Sequence, residues 1–133
     1  MGVLSNNSPK EIGICEAKKN APDHVVKILN IIEEIVKLFT ISVKIKEDLT
    51  TITLQDKNTA DIRNQLRIIH LDVFSKPKSY IMTLYQHSNG VKKVKPDYEI
   101  KVIGNYELNT LKSNLEKLIR GKNLSHRPRF YPF

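Results

Sequence analysis

Residues 56–77 read DKNTADIRNQLRIIHLDVFSKP, and the fold turns on whether this stretch coils or extends. As a helix, Asn58 or Thr59 caps the first turn, Ile62, Leu66, Ile69 and Val73 recur at helical spacing, and Pro77 stops the run. As a strand, RIIHLDVF at 67–74 alternates and is rich in β-branched side chains, so a helix giving way to a strand near Ile68 fits the same residues. The flanking segments favour the helix. IRNQL at 62–66 and LKSNL at 111–115 occupy comparable places after two hairpin-like segments.

The first of those hairpins is ISVKIKEDLTTITL, residues 41–54. Ile41, Val43, Ile45, Ile52 and Leu54 share one face, Ser42, Lys44, Lys46, Thr51 and Thr53 the other, with a turn at Glu47 and Asp48. The second is YQHSNGVKKVKPDYEIKVIG, residues 85–104. Asn89-Gly90 suits a two-residue type I′ turn because both central positions need positive φ. That turn pairs Ser88 with Val91, Tyr85 with Val94 and Ile81 with Tyr98. Ile81, Tyr85, Val94, Tyr98, Ile100 and Val102 then face inward. Lys93, Lys95 and Lys101 face outward beside Asp97 and Glu99, with Met82 and Leu84.

Three helices complete the pattern. Pro22 opens one whose stripe of Val25, Ile28, Leu29, Ile32, Val36 and Phe39 is widened by Ile31, Ile35 and Leu38 to about half the circumference. Such breadth fits packing on two sides, or contact with a second chain. The middle helix is the one that Asn58 or Thr59 would cap. The last, NYELNTLKSNLEKLIRG at 105–121, aligns Leu108, Leu111, Leu115 and Leu118 and stops at Gly121. The expected architecture is a single α+β domain ordered α-ββ-α-ββ-α, with an antiparallel sheet of two β-hairpins and the helices mainly on one face. Residues 21–121 form the domain, 1–20 an irregular arm with at most a short strand near EIGICEA, and 122–133 a basic, aromatic tail.

Composition narrows the function classes. The 133 residues suffice for one self-supporting core, and a single cysteine, Cys15, excludes an intramolecular disulfide framework or a cysteine-cluster zinc site. No uninterrupted apolar stretch spans a bilayer and the start lacks a secretory pattern, so a soluble, intracellular, cytoplasmic protein is expected, with nucleus or organelle left open. The formal charge of +8 is lopsided. Residues 1–58 balance eight lysines with eight acids, whereas 59–133 carry fourteen Lys and Arg against six acids. Such asymmetry suits an anionic partner.

Chemistry-bearing motifs are absent. His24, His70, His87 and His126 stand alone, without metal-ligand spacing, and the five glycines do not cluster into a phosphate loop. No catalytic residue, metal or cofactor is assigned, and no enzyme is expected. The expected function is that of an RNA-binding subunit, RNA ahead of DNA, within a larger ribonucleoprotein-like assembly. Its phosphate contacts come from Lys92, Lys93, Lys95, Arg120, Lys122, Arg127 and Arg129. Phe130, Tyr131 and Phe133 follow the tail's arginines and suit base stacking or docking into a protein groove. The alternative is a small regulatory or viral-inhibitor module. It docks on an acidic protein through helix 22–39 and the aromatic tail, with homo- or hetero-oligomers through that same helix. A fainter stripe of Arg63, Arg67 and His70 exists if their segment is helical.

Overall fold

The computed structural model describes residues 10–37, 39–56, 65–88 and 94–120. Their order is α1 (Ile14–Asn20), α2 (Asp23–Ile35), β1 (Phe39–Ile45), β2 (Leu49–Asp56), β3 (Gln65–Ser75), β4 (Lys78–Ser88), β5 (Tyr98–Ile103) and α3 (Leu108–Arg120). The five strands make one antiparallel sheet in chain order, β1-β2-β3-β4-β5. The α+β class stands, but two hairpins separated by a helix become one continuous meander.

The stretch that decides the fold extends. From Gln65 to Ser75 the chain is strand β3, paired along its length with β4 and from Ile68 onward with β2. Ile69, Leu71 and Val73 point into the core, while Ile68, His70, Asp72 and Phe74 alternate to the other face. Two ladders of backbone hydrogen bonds outweigh the modest preference for a helical 4, 3, 4 spacing. Pro77 ends the element, though as part of the two-residue turn between β3 and β4, with the Lys76–Pro77 peptide cis. The capping position at Asn58 or Thr59 lies outside the described residues.

The β1–β2 hairpin has the expected register. Ile41 faces Leu54, Val43 faces Ile52, and the Lys46 N–H donates to the Leu49 carbonyl at 2.8 Å across Glu47 and Asp48. The β4–β5 pair does not. Ile81 faces Lys101 rather than Tyr98, a displacement of three residues, and an odd displacement exchanges the faces of one strand. Tyr80, Met82 and Leu84 are therefore core residues opposite Val102, Ile100 and Tyr98, and Val94 is 92% exposed. Two residues set this register. Pro96 has no N–H to give a ladder, and the Asp97 carboxylate accepts the Gln86 N–H at 2.7 Å in place of a strand carbonyl. The ladder starts at Leu84–Tyr98, while β4 runs on to Ser88 against β3. The Asn89-Gly90 turn lies outside the described residues.

Among the described side chains, the fully buried ones of the strands belong to one face and form a single cluster with Ala17 of α1, Val25, Ile28, Leu29 and Ile32 of α2, and Leu111, Leu115 and Leu118 of α3. The helices thus cover one face, as expected, and each large apolar side chain so buried contributes about 1.5–3 kcal/mol. Helix α2 stops at Ile35 rather than continuing to Phe39, because Phe39 is already in the ladder with Asp56. Val25, Ile28, Leu29, Ile32 and Val36 are buried within the chain and Ile35 packs against them, while Ile31 is half-buried and Leu38 lies outside the described residues. Residues 10–20 are also more structured than an irregular arm. Ile12 and Val43 exchange two backbone hydrogen bonds of 2.9 Å, and α1 follows. Helix α1 is too short to show a periodic stripe, and Ala17 is its only buried side chain. Among the described residues no helix is long and apolar enough to cross a membrane.

Candidate functional site

The two ends of the sheet hold the candidate functional groups. At one end lie Asp56, Gln65 and Ser88, together with the last turns of α2 and α3; Arg67 organises it. Its guanidinium donates to the Ile119 carbonyl, lies 3.6 Å from Asp56 and stands over the Phe39 ring, 5.4 Å from the centroid. Arg67 therefore closes an orphan carbonyl at the C-terminus of α3, where the helix dipole favours a cation. It does not share a stripe with His70. In strand β3 the two residues fall on opposite faces, and Arg63 lies outside the described residues.

Of the expected phosphate contacts, Lys95 and Arg120 are described and both are exposed. Lys92, Lys93, Lys122, Arg127 and Arg129 lie outside the described residues, as do Phe130, Tyr131 and Phe133. The division of charge is nevertheless informative. The described residues hold fifteen Lys and Arg against thirteen Asp and Glu, which leaves two of the eight net charges there. The other six belong to segments 57–64, 89–93 and 121–133, whose cations are Lys57, Arg63, Lys92, Lys93, Lys122, Arg127 and Arg129, against Asp61. The described residues that adjoin these segments share the Arg67 end. Gln65 pairs with Ser88, Asp56 pairs with Phe39 and contacts Arg67, and Arg120 follows the carbonyl that Arg67 caps.

The sheet face that no described helix covers is polar at its centre. Thr51 donates to Asp72 at 2.9 Å, Thr53 and His70 share a hydrogen bond of 3.2 Å, and the His70 and Tyr85 rings meet edge to face at 5.7 Å. Burial holds the His70 pKa below its ordinary value; Asp72 raises it and Lys44 lowers it further, so the imidazole is neutral at neutral pH. Ile68, Phe74, Ile81 and Tyr85 are half-buried on this face, and Ile103 at its edge is 71% exposed.

At the opposite end, where the β3–β4 turn meets the first turns of α2 and α3, a cavity of about 260 Å³ is lined by His24, Lys27, Lys78, Asn105, Tyr106 and Leu108. The Ser75 hydroxyl lies 3.4 Å from His24 Nε2. Burial, then the Lys78 charge, lowers the His24 pKa, and Asp23 opposes them. The Tyr106 hydroxyl is shielded from solvent and has no hydrogen-bond partner among the described residues. The sequence gives no local sign of this cluster, because its members come from three separate segments with no common spacing. Among the described residues no group of three or more His, Cys, Asp or Glu is placed to hold a metal.

No known protein family, curated protein or solved structure matches this chain.

Proposed function

We propose that the protein is a non-enzymatic subunit that binds nucleic acid, RNA ahead of DNA, within a larger assembly. Its contacts are to phosphates, from Lys92, Lys93, Lys95, Arg120, Lys122, Arg127 and Arg129. One observation carries this. The described residues that adjoin the three segments holding six of the eight net charges share one end of the sheet. Each lysine or arginine that neutralises a phosphate releases condensed counterions, and such contacts read little sequence. The tail's aromatic residues favour unpaired bases, which stack on aromatic rings.

Binding to a generic single-stranded RNA across a salt series tests this. Affinity should fall steeply and linearly on logarithmic axes. Lys93→Glu combined with Lys95→Glu should flatten the slope by about 0.7 for each phosphate that is no longer neutralised. No binding at low salt, or a slope the variant leaves unchanged, removes the proposal.

A second function is supported by the sheet face that no described helix covers, whose Phe74 and Ile81 lie beside the exposed Ile103. In it the protein is an interaction module for an acidic partner, docking through this face and the aromatic tail. Of the apolar stripe of α2, Val25, Ile28, Leu29, Ile32 and Val36 already fill the chain's own core. Recovery of one stoichiometric protein, lost on deletion of residues 124–133, is the expected result; recovery unchanged by that deletion removes the tail from the account.

A further inference from the structure

We propose that the cavity at the Lys78 end is a binding site for a small phosphate monoester. The site stands apart from the nucleic-acid proposal, since its lining shares no residue with the phosphate contacts assigned there.

Charge comes first. Lys27 and Lys78 both line the cavity, and neither pairs with an acid among the described residues. No described acid lines it either. Asp23, which acts on His24, is exposed on the first turn of α2. With His24 neutral, the lining carries two positive charges, which match a monoester at neutral pH, at about −1.5 to −2. A diester, with one charge, matches less well.

The backbone fixes where these groups stand. His24 and Lys27 are three residues apart on α2 and so share one helix face. Lys78 is fixed from both sides: it pairs with Ser75 across the β3–β4 turn, and its carbonyl accepts the Gly104 N–H at 3.0 Å. Gly104 has φ of 96°, a conformation that a side chain would strain, and this bend brings Asn105 and Tyr106 to the cavity. The first turns of α2 and α3 both contribute to the lining, through His24 and Leu108. The volume of about 260 Å³ admits a phosphate with a short organic body.

One buried donor is also unmet. Buried hydroxyls almost always have a partner, and the Tyr106 hydroxyl has none among the described residues. Its ring is held edge-on to Tyr80, with centroids 5.0 Å apart, so the hydroxyl is fixed in place.

His24 is a built-in reporter. Asp23 from its own helix and Lys78 from β4 act on its charge, Ser75 from β3 lies within 3.4 Å, and Lys27 and Tyr106 line the same cavity. A bound dianion offsets the Lys78 charge and raises the His24 pKa. The experiment is an NMR titration of the His24 imidazole in the full-length protein with inorganic phosphate, at ionic strength held constant with chloride. Saturable shifts and a raised His24 pKa are expected. Lys27→Ala and Lys78→Ala should each weaken binding about tenfold, the loss of one charge-assisted hydrogen bond. Tyr106→Phe should leave it unchanged, since that hydroxyl is closed to solvent. Both lysines are exposed, so their loss leaves the fold intact, which an unchanged spectrum elsewhere verifies. Adenosine 5′-monophosphate binding more tightly than phosphate supports an ester as the ligand. Dimethyl phosphate binding as well as phosphate overturns the monoester assignment. Shifts that chloride reproduces, or that persist without both lysines, overturn the site.

Discussion

The two ends of the sheet use cations in opposite ways. At the Arg67 end the described guanidinium is engaged by three partners: a carboxylate, a helix carbonyl and an aromatic face. At the Lys78 end two lysines border a cavity with no described acid in its lining. Both ends carry cations, yet one charge holds the fold together and the other two are available to a ligand. Net charge therefore says little about function until each cation is assigned a neighbour.

The sharpest way to break this comparison is to remove Arg67. Arg67→Ala should lower stability by about 2 kcal/mol, since it uncaps α3 and leaves Asp56 without this cation. Arg67→Lys should recover only part of that loss, because an ammonium cannot reproduce the planar fork. Thermal or urea unfolding measures both, and a loss no larger than that of Lys78→Ala would erase the difference between the ends. Next in size is the Tyr80–Asn114 pair behind the cavity. The Asn114 amide donates to the buried Tyr80 hydroxyl at 3.0 Å. Asn114→Ala should cost about 1–2 kcal/mol by leaving that hydroxyl unpaired. Adding Tyr80→Phe to Asn114→Ala should recover part of the loss, whereas additive losses would show that the hydrogen bond is not the cause.

These pairs also show what could be read in the sequence. The β1–β2 hairpin was legible because its turn is short and its alternation strict, so that Val43 opposite Ile52 follows from pattern alone. Helix α3 was legible from Leu111, Leu115 and Leu118. The β4–β5 register was not, because a strong local signal at Asn89-Gly90 competed with an invisible one, the Asp97 carboxylate reaching Gln86. For residues 67–74 the local pattern supported helix and strand alike, and pairing to β2 and β4, which is non-local, made the choice. The same holds for function. The asymmetry of charge was visible, while the cavity was not, since His24, Lys78 and Asn105 meet only after the sheet forms.

The smallest expected effect separates two histidines that share a direction of shift. Burial lowers the pKa of both His24 and His70 below the ordinary 6.5, so the unfolded chain binds a proton more readily than the folded one. Stability from each is then complete above about pH 6.5 and declines as pH falls from there through the folded value. Both side chains are partly exposed, so the decline is shallow. His70→Gln, on the face that no described helix covers, should flatten it whether phosphate is present or not. His24→Gln should flatten it in phosphate-free buffer but have little effect in phosphate, because there the bound anion already holds the His24 pKa up. Urea unfolding at pH 5 and pH 7.5, in both buffers, makes the comparison. If phosphate changes neither histidine's contribution, the Lys78 end loses its distinction from the rest of the surface.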